Sequence, residues 1–286
     1  MFQPDRAHVC AEIGINHSGS LEVAFKLIDA AKASGADSCK FQKRAVHLSV
    51  PPHMMHVTRE TPWGPMSYLQ YRERLEFSID QYHEIDAYCK KAGIPWWVSV
   101  WDTSSYVAMK ESFPDLPAWK IPSAKLTDLE LLENISGSLT RQKKRTPVVL
   151  STGMSTLEEI DRAVSILGGQ DLMLLHCNST YPCPKEDLNL RCIQSLHERY
   201  PWCPIGYSGH EVGLATTVAT VALGARYVER HITLDRSMWG SDQAASVEPV
   251  GFKRLVDDIR GVESALGDGK KRATEGERAV MKRLRG

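Results

Sequence analysis

Short apolar runs alternate with longer amphipathic segments along most of the chain. The short runs predict β-strands, and segments with apolar residues three or four positions apart predict helices. Strands are predicted at 8–13, 38–42, 95–100, 118–121, 147–151, 172–176, 205–207 and 227–232. Helices are predicted at 21–34, 79–91, 129–135, 157–167, 190–199, 213–223 and 252–266.

This alternation favours a parallel sheet, and eight β–α units allow the sheet to close into a (β/α)8 TIM barrel. One α/β domain over 1–268 is therefore predicted, followed by a basic C-terminal tail at 269–286. An open doubly wound sheet is the alternative, but no GxGxxG motif opens a helix.

Two connections are unusually long, one at 43–77 and the other at 233–250. Both follow predicted strands, so in a barrel both lie on the face that carries active sites. Loops of this length usually have a function or are disordered.

Composition excludes several partners. Lys plus Arg and Asp plus Glu both number 35, so the net charge is zero and no global field favours nucleic acid or an acidic membrane.

The N-terminus has no apolar run of leader length and no membrane-spanning stretch follows, which predicts a cytoplasmic protein. Seven cysteines without CxxC spacing predict buried, reduced thiols.

Polar side chains accumulate where the predicted strands end, and in a barrel these ends converge on one mouth. The chosen residues are Glu12, Lys40, Gln42, Lys120, Ser123, Ser151, Ser179, Tyr181, Ser208, His210 and His231.

Lys40 and Lys120 each lie inside an otherwise apolar strand, where a lysine is rarely buried without a partner. With the nearby serines they could clamp a phosphate or a carboxylate. The alternatives are two lysines that extend to the surface, or one Schiff-base lysine of a class I aldolase.

His210 and His231 follow neighbouring strands and could bind a divalent metal, or could be structural histidines. Asp242, a little further along, could support them or contact substrate. Glu12 is either a catalytic acid or base, or the partner of a lysine.

Taken together and in order, these strand ends resemble the sialic acid synthase (N-acetylneuraminate synthase) family, from about residue 8 to 268. The motifs are AEIGINH at 11–17, KFQ at 40–42, KIPSA at 120–124, STGM at 151–154, LHCNSTYP at 175–182, GYSGHE at 206–211 and VERHITLDR at 228–236.

The resemblance implies a transferase that condenses phosphoenolpyruvate with a sugar aldehyde such as N-acetylmannosamine, giving a sialic or nonulosonic acid. It implies that His210 and His231 hold Mn or Mg, and that the protein is a homodimer or higher homo-oligomer. Glu12, Tyr181 and Asp242 would face the sugar. The phosphoenolpyruvate site would comprise Lys40, Gln42, Lys120, Ser123, Ser151, Ser179 and Ser208.

Two departures from the family lie on the sugar side. The chain ends at Gly286, where the family commonly continues into an antifreeze-like domain, which a separate chain could supply. Lys125 stands where sialic acid synthases usually carry a carboxylate, so Lys125 could meet an anionic group on the acceptor. A class I aldolase and a non-catalytic, sugar-binding barrel subunit are the alternative functions.

Overall fold

Eight parallel strands form a closed barrel, which confirms the predicted fold class. The computed structural model describes residues 6–141 and 146–285. Residues 1–5, which begin the predicted domain 1–268, and residue 286, which ends the predicted tail 269–286, lie outside the described residues, as do residues 142–145. Strands adjacent in sequence are adjacent in space, and the last pairs with the first. The strands are β1 (His8–Gly14), β2 (Ser38–Lys43), β3 (Trp96–Val100), β4 (Trp119–Ile121), β5 (Val148–Ser151), β6 (Leu172–Cys177), β7 (Ile205–Gly209) and β8 (Tyr227–His231).

A helix follows each strand and covers the outside of the barrel. These helices are α1 (Leu21–Ala33), α2 (Ile79–Ala92), α3 (Thr103–Ser112), α4 (Leu129–Thr140), α5 (Leu157–Leu167), α6 (Cys192–Arg199), α7 (Ala215–Ala222) and α8 (Pro249–Leu266). A further helix, Glu275–Arg285, lies in the predicted tail.

The sequence pattern missed α3. Asp102 is the N-cap of this helix, and its side chain accepts from the backbone N–H of Ser105. The helix buries only Ser105, Tyr106 and Met109. Two serines and a threonine in its first turn have modest helix propensity, which obscured the helical period.

The hydrophobic core has two parts because successive strand residues face opposite sides. Outward-facing residues such as Val9, Phe41 and Val98 pack against the helices. A smaller cluster fills the barrel interior. It consists of Cys10, Trp97, Ala118, Val149, Met173, Leu175 and Tyr227.

The long connection after β2 is ordered. It contains helices Val46–Ser49 and Tyr68–Leu75, a 3-10 turn Pro52–Met54, and a hairpin of Thr58–Arg59 with Met66–Ser67. It meets the long connection after β8 through Trp239, whose ring centroid lies 5.1 Å from that of Tyr71 and 6.0 Å from that of Trp63. Both connections lie on the mouth side of the barrel, as predicted.

Three-residue 3-10 turns also occur after three other strands: Ser123–Lys125 after β4, Lys185–Asp187 after β6 and Gln243–Ala245 after β8. In the described parts of the chain, 6–141 and 146–285, no helix is both long and apolar enough to cross a membrane.

Candidate active site

A cavity of about 180 Å³ opens at the carboxyl ends of the strands. The fold brings together eleven of the residues chosen from the sequence. They are Glu12, Lys40, Gln42, Lys120, Ser123, Ser151, Ser179, Tyr181, Ser208, His210 and His231.

The barrel register explains why Glu12 lies at the centre of this set. On β1, Glu12 is paired with Lys40 of β2 on one side and with His231 of β8 on the other. Gly14 then adopts a φ of +55°, and a Cβ there would lie 3.1 to 3.2 Å from the side chains of Gln42, His231 and Glu12. Glycine is therefore required where the strand turns away from the site.

Two lysines and two carboxylates form a buried ionic network. Lys40 pairs with Glu12 and lies 3.5 Å from Glu229, and Lys120 lies 3.9 Å from Glu229. Each lysine also donates to a serine: Lys40 to Ser99 at 2.7 Å, and Lys120 to a serine on the next strand. The surface alternative is wrong, because both lysines are buried.

Burial and charge act in opposite directions on these groups. Burial alone would raise the pKa of Glu229, but Lys120 and Lys40 outweigh it and lower that pKa to about 2. Burial works to lower the pKa of Lys40, yet Glu12 and Glu229 raise it overall. For Lys120 burial dominates, so its pKa is lowered despite Glu229.

Neutral donors surround the lysines. Ser151 Oγ accepts from Lys120 at 2.6 Å, and Ser123 Oγ accepts from the backbone N–H of Gly153 at 3.1 Å. A Cβ on Gly153 would lie 2.3 Å from Ser179 Oγ, 2.8 Å from Cys177 Sγ and 2.9 Å from the Ser123 hydroxyl. The absence of a side chain at Gly153 thus lets three polar side chains approach its backbone.

His210 has a defined tautomer. Its Nδ1 lies 2.6 Å from the carbonyl of Asn178, which can only accept, so Nδ1 carries the proton. Burial, with a contribution from His231, lowers the pKa of His210 to about 4, so the ring is neutral at pH 7. Nε2 therefore accepts from the Tyr181 hydroxyl at 2.7 Å.

His231 lies beside His210, with ring centroids 5.7 Å apart. Its buried Nδ1 has no hydrogen-bond partner among the described residues, and Asp242 Oδ2 is 3.9 Å away. Within 6–141 and 146–285, no group of three or more His, Cys, Asp or Glu side chains is arranged to hold a metal. The imidazole of neutral His210 and that of His231, which has an unpaired buried nitrogen, nevertheless fit a catalytic metal whose other positions are open to substrate or water.

Two further candidates from the sequence, Asp242 and Lys125, are not in the cavity lining. Asp242 lies outside that lining, with its Oδ2 3.9 Å from His231 Nδ1. Lys125 turns to Asp128, with Nζ 2.9 Å from Oδ2. Contact of Lys125 with a sugar therefore stays a prediction, and that contact would require Lys125 to leave Asp128.

Several lining residues were not chosen from the sequence, namely Ser99, Trp101, Met154, Cys177 and Glu229. Glu229 had a readable signal. It lies two residues before His231 on β8, so strand alternation points both side chains the same way. A carboxylate there also supplies the partner that two buried lysines need.

A (β/α)8 barrel with buried cations, hydroxyls and paired imidazoles at its carboxyl-end mouth has the architecture of a barrel enzyme. Comparison with known proteins gives the family. The chain matches the NeuB family over residues 27–271 and belongs to it.

Two relatives with named activities agree with this family assignment. N-acetylneuraminate-9-phosphate synthase of Homo sapiens is 38% identical over 280 residues, covering 96% of this chain and 76% of the human protein. N,N'-diacetyllegionaminic acid synthase of Campylobacter jejuni is 37% identical over 276 residues, covering 94% of this chain and 80% of that protein.

A solved structure of N-acetylneuraminic acid (sialic acid) synthetase from Leptospira borgpetersenii, in complex with citrate, superposes with a TM-score of 0.85. It is 29% identical, and the match covers 98% of this chain and 92% of that one. The resemblance to sialic acid synthases and the assignment as an enzyme are thereby confirmed.

Proposed function

We propose that this enzyme condenses phosphoenolpyruvate with a sugar aldehyde to give a 2-keto-3-deoxy sugar acid and phosphate. The observation that carries the proposal is the pair of buried lysines, Lys40 and Lys120, beside serine hydroxyls and facing the imidazoles of His210 and His231. The relatives, which are named as synthases of such sugar acids, support the same reaction class.

Phosphoenolpyruvate would occupy the lysine side of the cavity. Lys120 and Lys40 are the cations, and charge-assisted hydrogen bonds to phosphate or carboxylate are roughly twice as strong as neutral ones. Gln42, Ser123, Ser151, Ser179 and Ser208 add neutral donors along the same wall. Held this way, C3 of the enol is oriented toward the imidazoles.

The aldehyde would lie on the side of His210, His231 and Tyr181. His210 and His231 are the residues that would hold a divalent cation, Mn or Mg, which supplies Lewis-acid polarisation of a carbonyl oxygen. The Tyr181 hydroxyl, 2.7 Å from His210, and the Asp242 carboxylate, near His231, would hydrogen-bond the sugar at this end.

Bond changes in the reaction balance without an external redox partner. C3 of the enol forms a bond to the aldehyde carbon, whose oxygen takes up one proton. Water adds to C2 and loses one proton, which leaves a hydroxyl and the phosphate group on C2. The bond from C2 to the phosphate oxygen then breaks, the hydroxyl becomes the keto group, and its proton leaves with phosphate. Glu12 would carry the proton between water and aldehyde oxygen, because this carboxylate contacts Lys40 and its residue is paired with His231 in the strand register.

The acceptor is proposed to be N-acetylmannosamine or a related aldose. An anionic acceptor that meets Lys125 stays part of this proposal. Changing Lys125 to Glu should then impair turnover of anionic aldoses and leave neutral ones unaffected. A homo-oligomeric state and a cytoplasmic location likewise remain predictions.

The test is to incubate the protein with phosphoenolpyruvate, Mn and single aldoses, and to measure phosphate release with and without EDTA. The panel comprises N-acetylmannosamine, mannose, arabinose and their phosphates. Release that needs both aldose and metal supports the proposal. A protein that fails to bind phosphoenolpyruvate would overturn it.

Changing Lys120 to Met serves as the site control. It should weaken phosphoenolpyruvate binding by on the order of 10²-fold, since a charged hydrogen bond is lost in a buried site. Borohydride in the presence of pyruvate should trap no adduct, whereas trapping at Lys120 would favour the class I aldolase.

A further inference from the structure

Arg44 continues the inward face of β2 beyond the cavity. Lys40 and Gln42 face the same way because successive strand residues alternate, and Arg44, the residue after β2, meets Gln42 on that side. The neighbouring chain past β3 is in register, with the Trp101 backbone N–H donating to Lys43 at 3.0 Å. Arg44 is only 3% exposed, and its guanidinium carbon lies 4.3 Å from the centre of the Trp101 ring.

A directed chain of hydrogen bonds runs from Arg44 into the site. Arg44 Nη2 donates to Gln42 Oε1, and Gln42 Nε2 donates to Glu12 Oε1 at 2.8 Å. Lys40 pairs with the other oxygen of Glu12. Both ends of this chain, an arginine and a lysine, can only donate, so only one orientation of the Gln42 amide satisfies every partner.

We propose that Arg44 is a positioning residue, which holds the Gln42 amide so that it orients the Glu12 carboxylate toward the reacting atoms. The inference rests on the proposed function, in which Glu12 carries a proton. Without Arg44 the Gln42 oxygen loses the donor that anchors it, so the amide can rotate away and leave Glu12 Oε1 without its donor.

The surroundings of Arg44 argue against a purely structural ion pair. Glu76, its nearest carboxylate, is bonded to Lys43 Nζ at 2.9 Å and lies 3.9 Å from Arg44 Nε. Arg44 Nε has no hydrogen-bond partner in the described chain. The side-chain hydrogen bond that Arg44 does make is the one to Gln42.

Lys43 gives a matched control. It is the neighbour of Arg44 in the chain and shares Glu76 with it, but it bonds Glu76 and the Phe77 carbonyl rather than Gln42. Changing Arg44 to Met should lower kcat by on the order of 10²-fold. The KM for phosphoenolpyruvate should rise by less than about threefold, because Gln42 is one neutral donor beside two lysines and several serines. This split marks an effect on turnover rather than on binding. Lys43→Met should leave kcat unchanged, and Arg44→Lys should recover part of it.

The decisive measurement is a double-mutant cycle with Gln42→Met. If Arg44 acts through Gln42, Arg44→Met should have little further effect on kcat in the Gln42→Met background. Additive effects of the two substitutions on kcat would overturn the inference, as would a raised KM for the aldose with unchanged kcat. The proposed function would still stand in either case, provided that the wild-type protein turns over. Wild-type protein that releases no phosphate would overturn both.

Discussion

Arg230 and Glu211 form a fully buried ion pair directly behind the two imidazoles. Arg230 Nη1 lies 3.4 Å from Glu211 Oε1, and the two side chains are 1% and 0% exposed. Arg230 adjoins His231, and Glu211 adjoins His210. The pair therefore joins the end of β8 to the chain that leaves β7 and sets the spacing of the histidines.

Changing Arg230 to Met should destabilise the fold by about 3–5 kcal/mol, because Glu211 would be left as a buried charge without its partner. Urea unfolding measures the loss. The exposed pair of Arg199 and Asp161 is the control, with side chains 45% and 38% exposed. Arg199→Met should cost far less stability, because solvent screens an exposed ion pair. Equal losses in the two variants would contradict the assignment of Arg230.

Changing Gly153 to Ala should weaken phosphoenolpyruvate binding by about tenfold or more, which is about 1.4 kcal/mol. The new methyl group would displace the hydroxyls of Ser179 and Ser123 from the lysine side of the site. Calorimetric titration gives the affinity. Gly169→Ala is the control, since nothing described lies within 4 Å of a Cβ there. If Gly153→Ala binds like wild type, these serines do not contact the ligand.

Changing Glu229 to Gln should make phosphoenolpyruvate binding more sensitive to pH. Burial already lowers the pKa of Lys120, and Glu229 is the main group that raises it. Loss of this carboxylate should lower that pKa further, so Lys120 loses its proton, and the ligand its cation, at lower pH.

As pH is raised above neutrality, affinity should fall more steeply for Glu229→Gln than for wild type. Glu198→Gln, on the exposed face of α6, should follow wild type. Parallel pH profiles for all three proteins would show that Lys120 stays charged without Glu229.

Acid should destabilise the fold through three buried histidines. Burial is the main cause that lowers the pKa of His8 and of His210 to about 4, and that of His17 to about 3. In the unfolded chain these groups take up protons near pH ~6.5, before the folded protein does. Their stabilisation is therefore present above that pH and is lost as pH falls toward the folded pKa values.

Each of these histidines should lower the free energy of unfolding by about 2 kcal/mol as pH falls from ~6.5 to ~5. Urea unfolding measures this change. His17→Asn removes one of the three. Asparagine can replace the Nδ1 acceptor that bonds the Gly19 N–H at 3.0 Å. In this variant, the loss of unfolding free energy over the same pH range should be smaller than in wild type by the contribution of one histidine. A wild-type stability that is flat over this range would refute the linkage.

Much of this protein could be predicted from its sequence. The alternation of strands and helices predicted the barrel, because each element shows its own apolar period. Most of the site followed as well, since closing parallel strands into a barrel brings their carboxyl ends to one mouth. Glu12, Lys120 and His231 are far apart in sequence and line one cavity for this reason.

Tertiary structure alone decided which groups touch. The pairing of Lys40 with Glu12, the turn of Lys125 toward Asp128, and the chain from Arg44 through Gln42 are all contacts between specific atoms. They depend on strand register and on how the loops pack. A linear pattern reports which face a residue occupies, whereas its partners are set by residues brought close only when the barrel closes.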